Sequence, residues 1–169
     1  MTVADLSELY AYGAWASAHL LRVTAELSAE EFTQSVAGSY ESVRNTFVHT
    51  ISAQWGWVDR CGGQPRGRAL KAPDFPTVTS VREISGKVDD LTVAFLSSLE
   101  DDDLARAVTY SNSAGESRLM PIGEMLHHAA NHAVHHRGQI ALLLRELNRS
   151  PGNFYILFYY AEKRGIVAW

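Results

Sequence analysis

Apolar residues recur three and four positions apart along most of this chain, and strict alternation is rare. That period marks helices that each bury one face. Leu6, Leu9, Tyr10, Gly13, Leu20, Leu21 and Leu27 trace the inner stripe of a first helix over 3–27. "SAEE" at 28–31 reads as a capping box, in which Ser28 accepts from a free backbone N–H and Glu31 reaches back. Gly38 and Ser39 break the pattern before a second helix at 40–61. Its stripe is Val43, Phe47, Ile51, Trp55 and Val58, and it stops at "CGGQ". "SVRE" at 80–83 reads as another capping box and opens a third helix that runs to residue 99. Pro121 suits the first turn of a fourth helix over 121–148, and a short aromatic-rich helix follows at 153–164.

Two connecting stretches stand out. Residues 62–78 hold three Pro and three Gly, a loop too long for a simple connection. The stretch 105–120 alternates weakly around a turn-rich centre and reads as a two-stranded hairpin. The expected fold is therefore all-α: a four-helix bundle with a small hairpin before the fourth long helix and a short C-terminal helix. It is expected to form one domain over 1–169, without internal repeats.

Composition narrows the function classes. The chain has 169 residues, 46% hydrophobic and 20% charged, which suits one sizeable core. A formal net charge of −4 offers nothing to nucleic acid or an anionic membrane, both of which attract basic surfaces. No apolar run approaches the roughly 20 residues needed to span a bilayer. The opening "MTVADLSELY" lacks a basic n-region, which argues against a secretory signal. Cys61 is the single cysteine, so no intrachain disulfide can form, and a reducing cytoplasm fits best. Cys61 itself reads as a small buried apolar residue at a helix end.

Five of the seven histidines fall in "HHAANHAVHHRGQ", residues 127–139. On a helical wheel at roughly 100° per residue with His128 at zero, the core stripe spans about 60° to 160°. Met125, Ala129, Ala133, Ile140, Leu143, Leu144 and Leu147 define it. His136 then lies near ~80°, inside the stripe, and His132 near ~40°, at its edge. His128 and His135 flank the stripe, and His127 points away. Arg137, near ~180°, falls off the stripe and reads as a salt-bridge or dimer contact. Gly138 reads as a point of close helix approach.

Spacing gives His132 and His136 their chemistry. Side chains four apart have Cβ atoms roughly 5–6 Å apart, so two imidazoles can meet one ion at about 2.0–2.1 Å. Burying both rings without a metal leaves a donor and an acceptor on each to satisfy. The pair is also a common coincidence, and catalytic sites usually use three protein ligands. His49 shares a face with Asn45, Ser52, Ala53 and Gly56, so periodicity permits it as a third ligand without selecting it. His19 has no special neighbours and reads as a surface or satisfied polar group.

The pattern resembles the DinB/YfiT-like metalloenzyme family over nearly the whole chain. "YAYGAWASAHLL" (10–21) resembles its first-helix Tyr–Trp–Leu pattern. "SVRNTFVHTISAQWGWVDRCGG" (42–63) resembles its second-helix histidine followed by Trp and Gly. "IGEMLHHAANHAVHHRGQIALLLRELNRSP" (122–151), with Asn-His, three residues, then His-Arg-Gly-Gln, is the most specific match. Ser17 departs from it, since the family often has Asn there. The doubled histidines at 127–128 and 135–136 leave a register choice, in which the wheel angles disfavour His128 and His135.

The resemblance implies a bundle, often dimeric, holding one divalent metal on His49, His132 and His136. All-imidazole ligation best suits Zn²⁺ or Ni²⁺. It also implies a low-molecular-weight thiol activated by the metal, hence a thiol S-transferase or isomerase acting on an electrophilic small molecule. A metal-dependent hydrolase, a metal- or small-molecule-binding module and a purely structural dimer are the alternatives. Gln139 could hold a ligand's second nitrogen, or simply bridge two helices. Trp15, Trp55 and Trp57 could line a substrate pocket, although aromatic stripes more often belong to the core. No general base is assigned.

Overall fold

The computed structural model describes residues 1–36, 40–64, 69–112 and 114–166. The expected break at Gly38 and Ser39 and part of the 62–78 loop lie outside them. Among the described residues, four long helices carry the fold: α1 (Val3–Thr24), α3 (Val43–Cys61), α4 (Val78–Ser97) and α5 (Ile122–Glu146). Two short ones join them, α2 (Ala29–Thr33) and α6 (Ile156–Lys163), along with a hairpin of β1 (Ala107–Ser111) and β2 (Ser117–Pro121). This is the expected all-α bundle with its small hairpin.

Caps set the helix boundaries. Thr2 and Asp5 form a reciprocal box at the start of α1, and the Ser28–Glu31 box opens α2 as the sequence implies. At α4 the box lies three residues earlier than "SVRE" indicates. Thr77 Oγ1 accepts from the Ser80 N–H at 3.1 Å, and Ser80 Oγ accepts from the Thr77 N–H at 3.2 Å. Ser80 is thus the third residue of the helix and not its cap. Pro121 closes β2 and caps α5 in extended conformation, so strand runs into helix without a loop.

Each long helix packs on two others: α1 on α4 and α5, α3 on the same two. The interior falls into two apolar clusters. One joins Leu20, Leu21, Phe47, Ile51, Val81, Val88, Ile140 and Leu144. The other joins Leu6, Tyr10, Cys61, Leu96, Leu104, Met125 and Leu126. The order in which each helix visits them makes α1 and α5 run one way and α3 and α4 the other. Between the clusters lies a polar waist of Gln54, Asp89, Thr92 and Arg137. No helix of the described residues is long and apolar enough to cross a membrane.

Candidate metal centre

His49 sits midway along α3, the helix that packs most extensively on α5; Ser52 and Gly56 nearby are buried, and the Ser52 hydroxyl accepts from the Leu70 N–H at 3.1 Å. His132 and His136 sit one turn apart on the facing side of α5. One ligand-type nitrogen from each of the three rings lies within 4.8 Å of the others. His132 Nε2 is 3.0 Å from His136 Nε2 and 3.3 Å from His49 Nε2. Ligands about 2.1 Å from a single cation, at tetrahedral or octahedral angles, would be separated by roughly 3.0–3.4 Å. The two distances from His132 Nε2 fall in that range.

Hydrogen bonding alone accounts poorly for this contact. His132 Nε2 has two nitrogen neighbours but can carry one proton, so it can donate to only one of them. His136 Nδ1 donates to Gln139 Oε1 at 2.6 Å, because an amide oxygen can only accept. That bond leaves the His136 Nε2 lone pair facing His132, the tautomer a metal ligand needs. The Gln139 amide is itself oriented by the contact of its Nε2 with His135 Nε2 at 3.1 Å.

Burial and mutual repulsion keep the pair neutral. Desolvation, then the neighbouring His136, His49, His128 and His135, push the His132 pKa down to about 4. His136 is lowered as well, chiefly by burial, although the Gln139 hydrogen bond opposes the shift. Neutral imidazoles at neutral pH are the form that binds cations.

The DinB family model matches residues 1–165. The chain belongs to the DinB family. It is 25% identical over 147 residues to Protein DinB of Bacillus subtilis strain 168, covering 82% of this chain and 84% of that one. It is 27% identical over 126 residues to the Uncharacterized protein YizA of the same strain, covering 75% and 77%. A crystal structure of a DinB-like protein from Bacillus cereus ATCC 10987 superposes with a TM-score of 0.75 at 23% identity, over 91% of this chain and 98% of that one. That last likeness bears on the fold.

Beyond its three histidines, this DinB-family chain places the remaining candidates unequally. Tyr40 stacks on the His49 ring at 3.9 Å and meets His136 edge-on at 5.4 Å. Sequence reasoning missed it, because Tyr40 precedes the α3 cap and has no periodic relation to the histidines. Exposed His128 contacts His132 at 6.1 Å and Trp57 at 4.8 Å, ring centre to ring centre. Trp15 is directed elsewhere. It packs on Tyr12, His19 and Tyr159, and its Nε1 donates to Glu162 of α6. Trp55 borders the larger apolar cluster.

Three smaller expectations meet different fates. His19 is a satisfied polar group, donating from Nε2 to Pro151 O and accepting from Arg22 at Nδ1. Arg137 is no surface contact: it is 3% exposed, faces the Tyr12 ring at 5.3 Å and reaches Gly13 O at 3.5 Å. The wheel misplaced it because α5 is flanked by both α1 and α3, which widens its buried arc. Gly138 is exposed and a Cβ there would meet nothing within 4 Å, so it serves no close helix approach.

Proposed function

We propose that this DinB-family chain is a divalent-metal-dependent enzyme of the thiol S-transferase or isomerase type. We place it in the cytoplasm as a homodimer, acting on an electrophilic small molecule. The observation that carries this reading is the gathering of one ligand-type nitrogen from each of three imidazoles within 4.8 Å of one another between α3 and α5. His49, His132 and His136 would hold the metal, with Zn²⁺ or Ni²⁺ the best match to an all-nitrogen set. Such an ion is a Lewis acid that lowers the pKa of a bound thiol toward the thiolate.

The protein's own contribution is positioning. Gln139 fixes the tautomer and tilt of His136, and Tyr40 braces the His49 ring by stacking. Burial holds His132 unprotonated and ready to donate its lone pair. The metal-ligating cluster found among the described residues contains no carboxylate, which leaves coordination sites for a thiol and its electrophile.

The test uses protein purified without a polyhistidine tag. Elemental analysis after Zn²⁺ or Ni²⁺ reconstitution is expected to give about one ion per chain. His49→Ala, His132→Ala and His136→Ala should each lose it, and His127→Ala should keep it. Loaded protein should accelerate conjugation of bacillithiol, mycothiol or glutathione to an activated aryl chloride. Stoichiometric metal with no acceleration over the stripped protein would leave a metal-binding module instead.

A further inference from the structure

The polar waist opens to the surface on the side where α1 meets α4. A pocket of about 190 Å³ lies there, lined by Tyr10, Ala11 and Ala14 of α1 and by Asp89, Val93 and Leu96 of α4. Gln54 and Thr92 complete its floor. The walls are mostly apolar, with Ser7 and Ser97 also on the lining, and the Tyr10 hydroxyl donates to Leu126 O at 3.0 Å. Asp89 is the lining's one acidic side chain.

Asp89 lacks a direct countercharge. No ion pair within 4.0 Å involves it among the described residues. Its Oδ1 accepts from Gln54 Nε2 at 3.0 Å, and the second proton of that amide goes to Thr92 Oγ1, also at 3.0 Å. Arg137 stands behind the floor, across a separate small cavity that Gln54 and Asp89 also border. Burial raises the Asp89 pKa and adjacent Asp90 adds to the rise; hydrogen bonds from the Gln54 and Ser85 side chains oppose it, and the pull of Arg137 is the weakest influence. A partly buried carboxylate without a direct ion pair gains from a cation delivered from outside.

We propose that the α1–α4 pocket is a second small-molecule site, which takes an organic primary ammonium whose apolar body fills the pocket and whose charge meets Asp89. A largely apolar concavity with one convergent charged group is the usual form of a specific small-ligand site. The volume suits a ligand of one ring or a short alkyl chain. This site is independent of the histidine cluster, which lies at the α3–α5 seam.

Benzylammonium is the probe, titrated into the full chain and followed by calorimetry and by backbone amide NMR. Saturable binding is expected, with shifts centred on Ala11, Ala14, Thr92 and Val93. Asp89→Asn should weaken it by at least roughly tenfold, the scale of one charge-assisted hydrogen bond. Benzyl alcohol, with the same shape and no charge, should bind at least about tenfold more weakly than the ammonium for the same reason. Ala14→Leu leaves Asp89 intact but fills the pocket, and should also abolish binding, so the test survives if Asp89→Asn does not fold. Equal affinity of alcohol and ammonium, undiminished binding by Ala14→Leu, shifts centred on His132 and His136, or no saturation at millimolar probe would each overturn the proposal.

Discussion

Gln139 shows how much one side chain can decide at this site. Its amide oxygen accepts from His136 Nδ1 and its amide nitrogen meets His135, so the group that orients the His136 ring is itself held in place. Gln139→Leu keeps the volume and removes both bonds. It is expected to weaken metal binding by about 10–100-fold in a chelator-competition titration, the usual effect of losing a ligand's hydrogen-bond partner. The thermal unfolding of the stripped protein should barely move, because Gln139 is only partly buried. Arg137 behaves differently. It fills the waist beside Tyr12 and has a buried Nε without a hydrogen-bond partner. Arg137→Ala removes that packing and opens a void, at a cost of about 2–4 kcal/mol in urea unfolding. The wheel separated the inward histidines, His132 and His136, from exposed His127, His128 and His135 because exposure follows helical angle directly. It failed for Arg137 because the arc a helix buries depends on how many neighbours it has, which periodicity does not specify.

At the scale of elements, α4 tests how hydroxyl groups compete to start a helix. Thr77 and Ser80 are three apart, and either could cap a helix whose inner stripe includes Val81, Ser85 and Val88. Thr77 takes the role, and the helix begins at Val78 with Val81 on its buried face. Thr77→Ala should cost about 1 kcal/mol, typical of a lost N-cap, in chemical denaturation monitored by circular dichroism. Leu144→Ala, within the larger apolar cluster, should cost about 2–5 kcal/mol in the same measurement. The four long helices were legible because each repeats its stripe over many turns, and the hairpin because a turn-rich stretch separates its strands. The pairing of α3 with α5 was not legible. His49 lies 83 residues before His132, and nothing local to α3 says which helix it will meet. Family resemblance supplied His49 as a candidate ligand, and the packing places its nitrogen beside those of His132 and His136. Tyr40 was not legible for the same reason, since it finds its partners across elements, on α3 and α5, and Trp15, packed against the larger apolar cluster, reaches α6.

For the molecule as a whole, crowding three rings at the seam should make stability depend on both metal and pH. In the stripped protein, His132 titrates near 4, and the His136 pKa is also lowered, against an unfolded value of 6.5. Between those limits the unfolded chain binds more protons than the native one, so unfolding becomes easier as acid is added. Stability from the neutral rings is fully present above pH 6.5 and is lost as pH falls toward 4. A bound cation acts in the same direction, since it requires the deprotonated rings and binds only the folded cluster. At a free metal concentration 100 times its dissociation constant it should add about 2.7 kcal/mol of stability at neutral pH. That increment should shrink steadily as the solution is acidified. Melting curves of stripped and Zn²⁺-loaded protein, collected from pH 5 to pH 8, should therefore be widest apart at the upper end and converge at the lower. In His132→Ala, which lacks the ring with the largest shift, the stripped protein should show a flatter pH profile and the metal increment should vanish. A wild-type protein whose melting temperature ignored both acid and metal across that range would show that the three nitrogens meet without either consequence.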